Sequence, residues 1–117
     1  MASESRTVAE RIADILDWGA RLERVMASTS RDRFADDEIA QLAAAKCIEA
    51  IGEAAGGLPK RDPSIAARHP DLALAEAYRM RNRLSHGYHS IDWATVWDTA
   101  TIYVPKLLVA VRTIREG

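Results

Sequence analysis

"EIAQLAAAKCIEAIGEAAGG", residues 38–57, decides the fold class of this chain. Ile39, Leu42, Ala45, Ile48, Ile51 and Ala55 recur at intervals of three and four, the period of an α-helix with one apolar stripe, and no alternation of period two competes with it. Asp36, Asp37 and Glu38 place negative charge at the start, where the helix dipole favours it, and Gly56-Gly57 is a stop signal. The many alanines permit close approach of a neighbouring helix. A second apolar surface must therefore exist elsewhere in the chain to cover this one.

The same period continues on both sides. Towards the N-terminus, Val8, Ile12, Ile15, Leu16, Leu22, Val25 and Met26 mark an amphipathic helix over about 7–27, with Arg11, Asp14, Asp17, Arg21 and Arg24 on its other faces and Ser5 or Thr7 as its cap. "STSRDRFADD", residues 28–37, reads as a polar loop. "LPKRDPSIAARHPD", residues 58–71, holds three of the four prolines and reads as a long connection containing one short helical turn at most. From Leu72 the positions Leu74, Ala77, Tyr78 and Leu84 predict a third helix that Gly87 terminates. Asp92 caps a fourth, which carries Trp93, Val96, Trp97, Ala100, Val104, Leu107, Leu108, Val111 and Ile114, and Pro105 inside it must bend it or remove one hydrogen bond. The prediction is an all-α, four-helix-bundle-like single domain over residues 1–117, with a short extra turn between helices 2 and 3.

Composition narrows the function. A net charge of −1 from 16 basic and 17 acidic residues gives no global field for gathering a polyanion, so any anion site is local. Thirteen of the basic residues are arginine, the side chain suited to bidentate phosphate contact. Cys47 is the only cysteine, which excludes an intrachain disulfide and a thiolate zinc cluster and fits a reducing, cytoplasmic setting. No stretch has the length of a signal peptide or a membrane span, so a soluble intracellular protein is expected.

One stretch concentrates chemistry. "RMRNRLSHGYHSID", residues 79–92, packs three arginines, two histidines and a tyrosine around the end of the third helix. On an uninterrupted helix His86 falls about 140° from Arg81, whereas unwinding at Gly87 re-aims the imidazole and the tyrosine so that convergence becomes feasible. Near a helix C-terminus the dipole favours imidazolium while adjacent arginines oppose it, which leaves His86 able to exchange protons near neutrality. An arginine beside it can hold a phosphate and stabilise charge on pentacoordinate phosphorus. Three other readings stand beside this one: arginines near a helix end are most often a solvated face, Tyr88 can be a cover residue, and His86-x-x-His89 with Asp92 has a partial metal-ligand look that the glycine break disrupts.

The segment Arg81-Asn-Arg-Leu-Ser-His86-Gly-Tyr88 resembles the R-x4-H-x-Y motif of HepT-like toxins, a family of helical ribonucleases within the HEPN superfamily. "CIEAIGEAAGGL" is similar to that family's second helix, "RHPDLALAEAYRMRNRLSHGYHSID" to its third helix and exit, and "WATVWDTATIYVPKLLVAVRTI" to its closing helix, so residues 34–114 carry the resemblance. It implies a HEPN domain and a metal-independent endoribonuclease toxin of a toxin-antitoxin pair, acting as a homodimer that brings two motifs together. Arg81 would hold the scissile phosphate, His86 would act as general acid or base, and Asn82 would support them by hydrogen bonding. It further implies an MntA-like nucleotidyltransferase antitoxin that adds AMP to Tyr88, and no cofactor or metal. The alternative is a non-catalytic helical substrate-binding or adaptor subunit of a minimal nucleotidyltransferase.

Overall fold

A computed structural model describes residues 6–72 and 92–116 of the chain, and every regular element among them is helical. Helix α1 spans Val8–Ala27. Thr7 rather than Ser5 is its cap. The Thr7 hydroxyl accepts from the Glu10 amide at 3.1 Å and the Glu10 carboxylate accepts from the Thr7 amide at 3.0 Å, a reciprocal capping box. The bond from the Thr7 amide, then that from its hydroxyl, then the Arg6 charge hold the Glu10 carboxyl below the usual carboxylate range. This contribution is present above that range and fades as the pH falls through the lowered value.

Residues 28–37, expected as a loop, contain a one-turn helix, α2, at Arg31–Phe34. The Ser30 hydroxyl accepts from the Arg33 amide at 3.3 Å, and the turn delivers Phe34 into the core, where it is fully buried. Helix α3 follows at Glu38–Gly56, capped by Asp37, whose carboxylate accepts from the Ala40 amide at 3.0 Å. Its apolar stripe follows the sequence expectation at Ala45, Ile48, Ile51 and Ala55 and departs from it in the first turn. Ile39 is 83% exposed and Leu42 52% exposed, while Ala40, Gln41, Ala44, Ala45, Ile48, Ile51 and Ala55 face inward. The buried Gln41 amide donates to the carbonyls of Phe34 at 2.8 Å and Ala35 at 3.0 Å, which satisfies the end of α2 and fixes it to α3.

The connection after α3 is more helical than its prolines suggest. It holds two one-turn helices, α4 at Leu58–Arg61 and α5 at Ile65–Arg68, and a 3₁₀ turn at Pro70–Leu72. Pro59 falls in the first turn of α4, where a missing N–H costs nothing, and Asp62 accepts from the Ser64 hydroxyl at 3.0 Å and pairs with Arg68. Leu58, Ile65 and Leu72 anchor the connection by complete burial. Gly57 does not end α3 through a left-handed residue, because its φ is −82°. Its lack of a side chain serves another need: a Cβ there would overlap the Arg11 guanidinium. Arg11, expected on a polar face, is only 7% exposed, and its Nη1 reaches the Glu53 and Ala54 carbonyls at 3.4 and 3.5 Å, so a cation lies at the negative end of α3.

The third predicted helix falls outside the described residues. Beyond it, Asp92 caps α6 at Trp93–Asp98, which runs through a π-helical turn at Thr99–Tyr103 into α7 at Val104–Glu116. The disturbance expected of Pro105 thus takes the form of a wide turn just before it. The Val104 amide donates to the Thr99 carbonyl, five residues back, and the hydroxyls of Thr99 and Thr101 donate to the carbonyls of Thr95 at 2.9 Å and Trp97 at 2.8 Å. Helix α1 packs chiefly on α3 and secondarily on α7, at Gly19, where a Cβ would overlap the Leu108 side chain. Ile12, Ile15 and Leu22 of α1 share one buried core with Ile48 and Ile51 of α3 and Leu107, Leu108 and Val111 of α7. Cys47 is buried with them, and burial pushes its thiol pKa up. No described helix is long and apolar enough to cross a membrane.

Candidate functional site

Arg81, Asn82, His86 and Tyr88 all lie outside the described residues, as does His89. The described chain brackets them. On the entering side Leu72 is locked into the core, and on the leaving side Asp92 begins α6. The Asp92 carboxylate accepts from the Ala94 amide at 3.0 Å and from the Thr95 hydroxyl at 3.2 Å, as expected of an N-cap. Among the described residues no cluster of three or more histidine, cysteine or carboxylate side chains is arranged to hold a metal.

The start of α6 does more than receive the chain. Trp93 and Trp97, four residues apart, lie on one side of it and meet Phe34 of α2. The Phe34 and Trp93 rings meet edge to face, with centroids 6.4 Å apart at 80°, and Phe34 and Trp97 are tilted at 53° with centroids 5.5 Å apart. Phe34 is buried beneath, whereas both tryptophans are half-buried. With Arg31, Asp32 and Asp92 at the rim they line a half-open cavity of about 370 Å³. The tryptophans, which the sequence places among the apolar positions of the fourth helix, pack against the core and stay partly open to solvent. Arg31, Asp32 and Phe34 were hidden in a stretch read as loop. The one local signal was Ser30, a good N-cap residue placed just before them.

A second groove, of about 360 Å³, lies between α1 and α3. Its charges are mixed and in part already paired: Arg6 Nε is 2.7 Å from Asp14 Oδ2, and Trp18 lies under the Arg21 guanidinium at 4.6 Å from the ring centroid. That groove presents no surface of one sign to a polyanion.

Comparison with known proteins agrees with the helical frame. The family model described as ribonuclease HepT-like matches residues 15–114. A candidate RNase of Methanocaldococcus jannaschii is 28% identical over 102 residues, covering 87% of this chain and 82% of the relative. A protein named probable ribonuclease HepT, from Thermococcus cleftensis, is 28% identical over 102 residues, covering 87% of this chain and 90% of the relative. A candidate RNase of Caldanaerobacter subterraneus is 30% identical over 95 residues, covering 81% of each chain. No solved structure gives a significant match. With all but 17 of its 117 residues inside that family model, the chain belongs to the HepT-like ribonuclease family.

Proposed function

We propose that this chain is a metal-independent endoribonuclease toxin that acts as a homodimer in the cytoplasm and is restrained by a nucleotidyltransferase antitoxin. The observation that carries the reading is the family match over residues 15–114, which contains the complete Arg81-x4-His86-x-Tyr88 motif. The names of the relatives, RNase and ribonuclease, support the same activity class.

The chemistry follows from the side chains. The ribose 2′-hydroxyl attacks the adjacent phosphorus, and the bond to the 5′-oxygen of the next nucleotide breaks. One product strand ends in a 2′,3′-cyclic phosphate and the other in a 5′-hydroxyl. One proton leaves the 2′-oxygen and one reaches the departing 5′-oxygen, so the step needs a base and an acid, and His86 from each of two copies provides them. Arg81 pairs with the phosphate and stabilises its growing negative charge, and Asn82 steadies the pair. No step requires a Lewis acid. An AMP on Tyr88, two residues from His86, brings a phosphate that competes with substrate for Arg81.

The test is cleavage of RNA by the purified chain in the presence of a chelator. His86→Ala and Arg81→Ala are expected to lower the rate by at least about 100-fold, on the order of what one acid-base group contributes, and to relieve growth inhibition while leaving the circular dichroism spectrum unchanged. Wild-type products should carry cyclic phosphate ends. Undiminished cleavage by a folded His86→Ala protein overturns the mechanism. Intact mass of the chain made with and without its genomic neighbour tests the restraint, with peptide mapping expected to place any added AMP on Tyr88.

A further inference from the structure

We propose that the cavity walled by Phe34, Trp93 and Trp97 and edged by Arg31, Asp32 and Asp92 is a nucleobase pocket. It takes the base of a nucleotide near the cleaved linkage and favours one with an exocyclic amine. The choice of RNA as ligand rests on the ribonuclease reading; the pocket itself rests on its geometry.

The walls are what a base requires. Phe34 forms a buried floor, and the two half-buried indoles meet it by edge or tilt rather than face to face, leaving aromatic surface at the opening. Flat aromatic surface binds bases by stacking, and RNA is read chiefly at unpaired bases splayed out of the strand. A volume of about 370 Å³ suits one planar heterocycle. The rim selects against the alternative occupant, a phosphate. Two carboxylates, Asp32 and Asp92, stand there against one guanidinium, and carboxylates repel a phosphate while accepting hydrogen bonds from base amines. Asp92 is held in place by capping α6, each of its oxygens accepting one bond there. Asp32, exposed and without such a bond, is the reader, and Arg31 can donate to a ring nitrogen or carbonyl of the same base.

Position along the chain links the pocket to the reaction. Asp92 follows His86 by six residues, a span of at most about 20 Å even for fully extended chain. The pocket therefore lies within a few nucleotides of the motif along a bound strand. If the tryptophans served only as helix cover, their replacement would lower stability and leave base preference untouched.

The experiment is a fluorescence titration of the full chain carrying His86→Ala, which keeps RNA intact, and Trp18→Phe, which leaves Trp93 and Trp97 as the only indoles. Short single-stranded RNAs that differ at one base are the probes. Saturable quenching is expected, stronger and tighter for adenine, cytosine or guanine than for uracil at one position. Trp97→Ala should weaken binding roughly tenfold or more, as loss of one stacked base does. Asp32→Ala, an exposed change that removes the acceptor with little bearing on folding, should flatten the preference. Binding without any change in indole emission, no binding at all, or an unaltered base preference in Asp32→Ala overturns the pocket. The two readings fail separately: cleavage by the unsubstituted chain with silent tryptophans removes the pocket and keeps the nuclease, and base-selective quenching in a chain that cleaves nothing does the reverse.

Discussion

Arg11 is three residues after Val8 and four before Ile15, so helical geometry puts it on the core-facing side of α1 even though its charge argues for solvent. The structure follows the geometry. The guanidinium finds carbonyl partners at the end of α3, and Gly57 leaves room for it. Because the Gly57 backbone is right-handed, alanine there meets no conformational penalty, and any loss of stability must come through Arg11. Gly57→Ala is expected to cost about 1–3 kcal/mol in denaturant unfolding, the range for overpacking a filled site, and much less in an Arg11→Met background. Additive losses would show that the two residues do not share a site. Residue identity misled at Ile39 and Leu42 as well, for apolar side chains there were assigned inward, whereas the first turn of α3 buries Ala40 and Gln41 and the expected line begins at Ala45. A single turn at a helix start gives a weak signal for its own phase.

At the level of elements, α1, α3 and the start of α6 were legible because their caps and apolar periods are local. Thr7, Asp37 and Asp92 all cap the helices they precede. The one-turn helices α2, α4 and α5 were not legible, since four residues carry too little periodicity and each is held by one side chain, Phe34, Leu58 or Ile65, buried in the core. Pro105 announced a disturbance without naming its kind. The π turn answers in part to Val96, Ala100 and Val104, spaced four apart, which drift around a regular helix and are brought back into line where a turn takes up an extra residue. Side-chain hydroxyls support that turn. Thr101→Val keeps the shape and removes the bond to the Trp97 carbonyl, and is expected to cost about 1 kcal/mol in denaturant unfolding. An unchanged midpoint would mean that the turn holds without it.

For the molecule as a whole, the fold class could be read from periodicity, and the motif and family from resemblance, because each depends on residues close in sequence. The aromatic cavity could not. It exists only because Phe34 and Trp97, 63 positions apart, meet across α2 and α6, and nothing local to either one implies the other. Packing across the whole unit also depends on Gly19, at which α1 admits the Leu108 side chain of α7. Gly19→Ala gains helix propensity but must displace Leu108, and is expected to be destabilising overall by about 1–2 kcal/mol in thermal or denaturant unfolding. A rise in the melting temperature would show that α7 yields easily.

The single thiol of the sequence, on α3, is buried in the core. Oxidants and electrophiles reach its sulfur when the core opens, so alkylation of Cys47 proceeds at the pace of native-state breathing and is slow beside that of an exposed thiol.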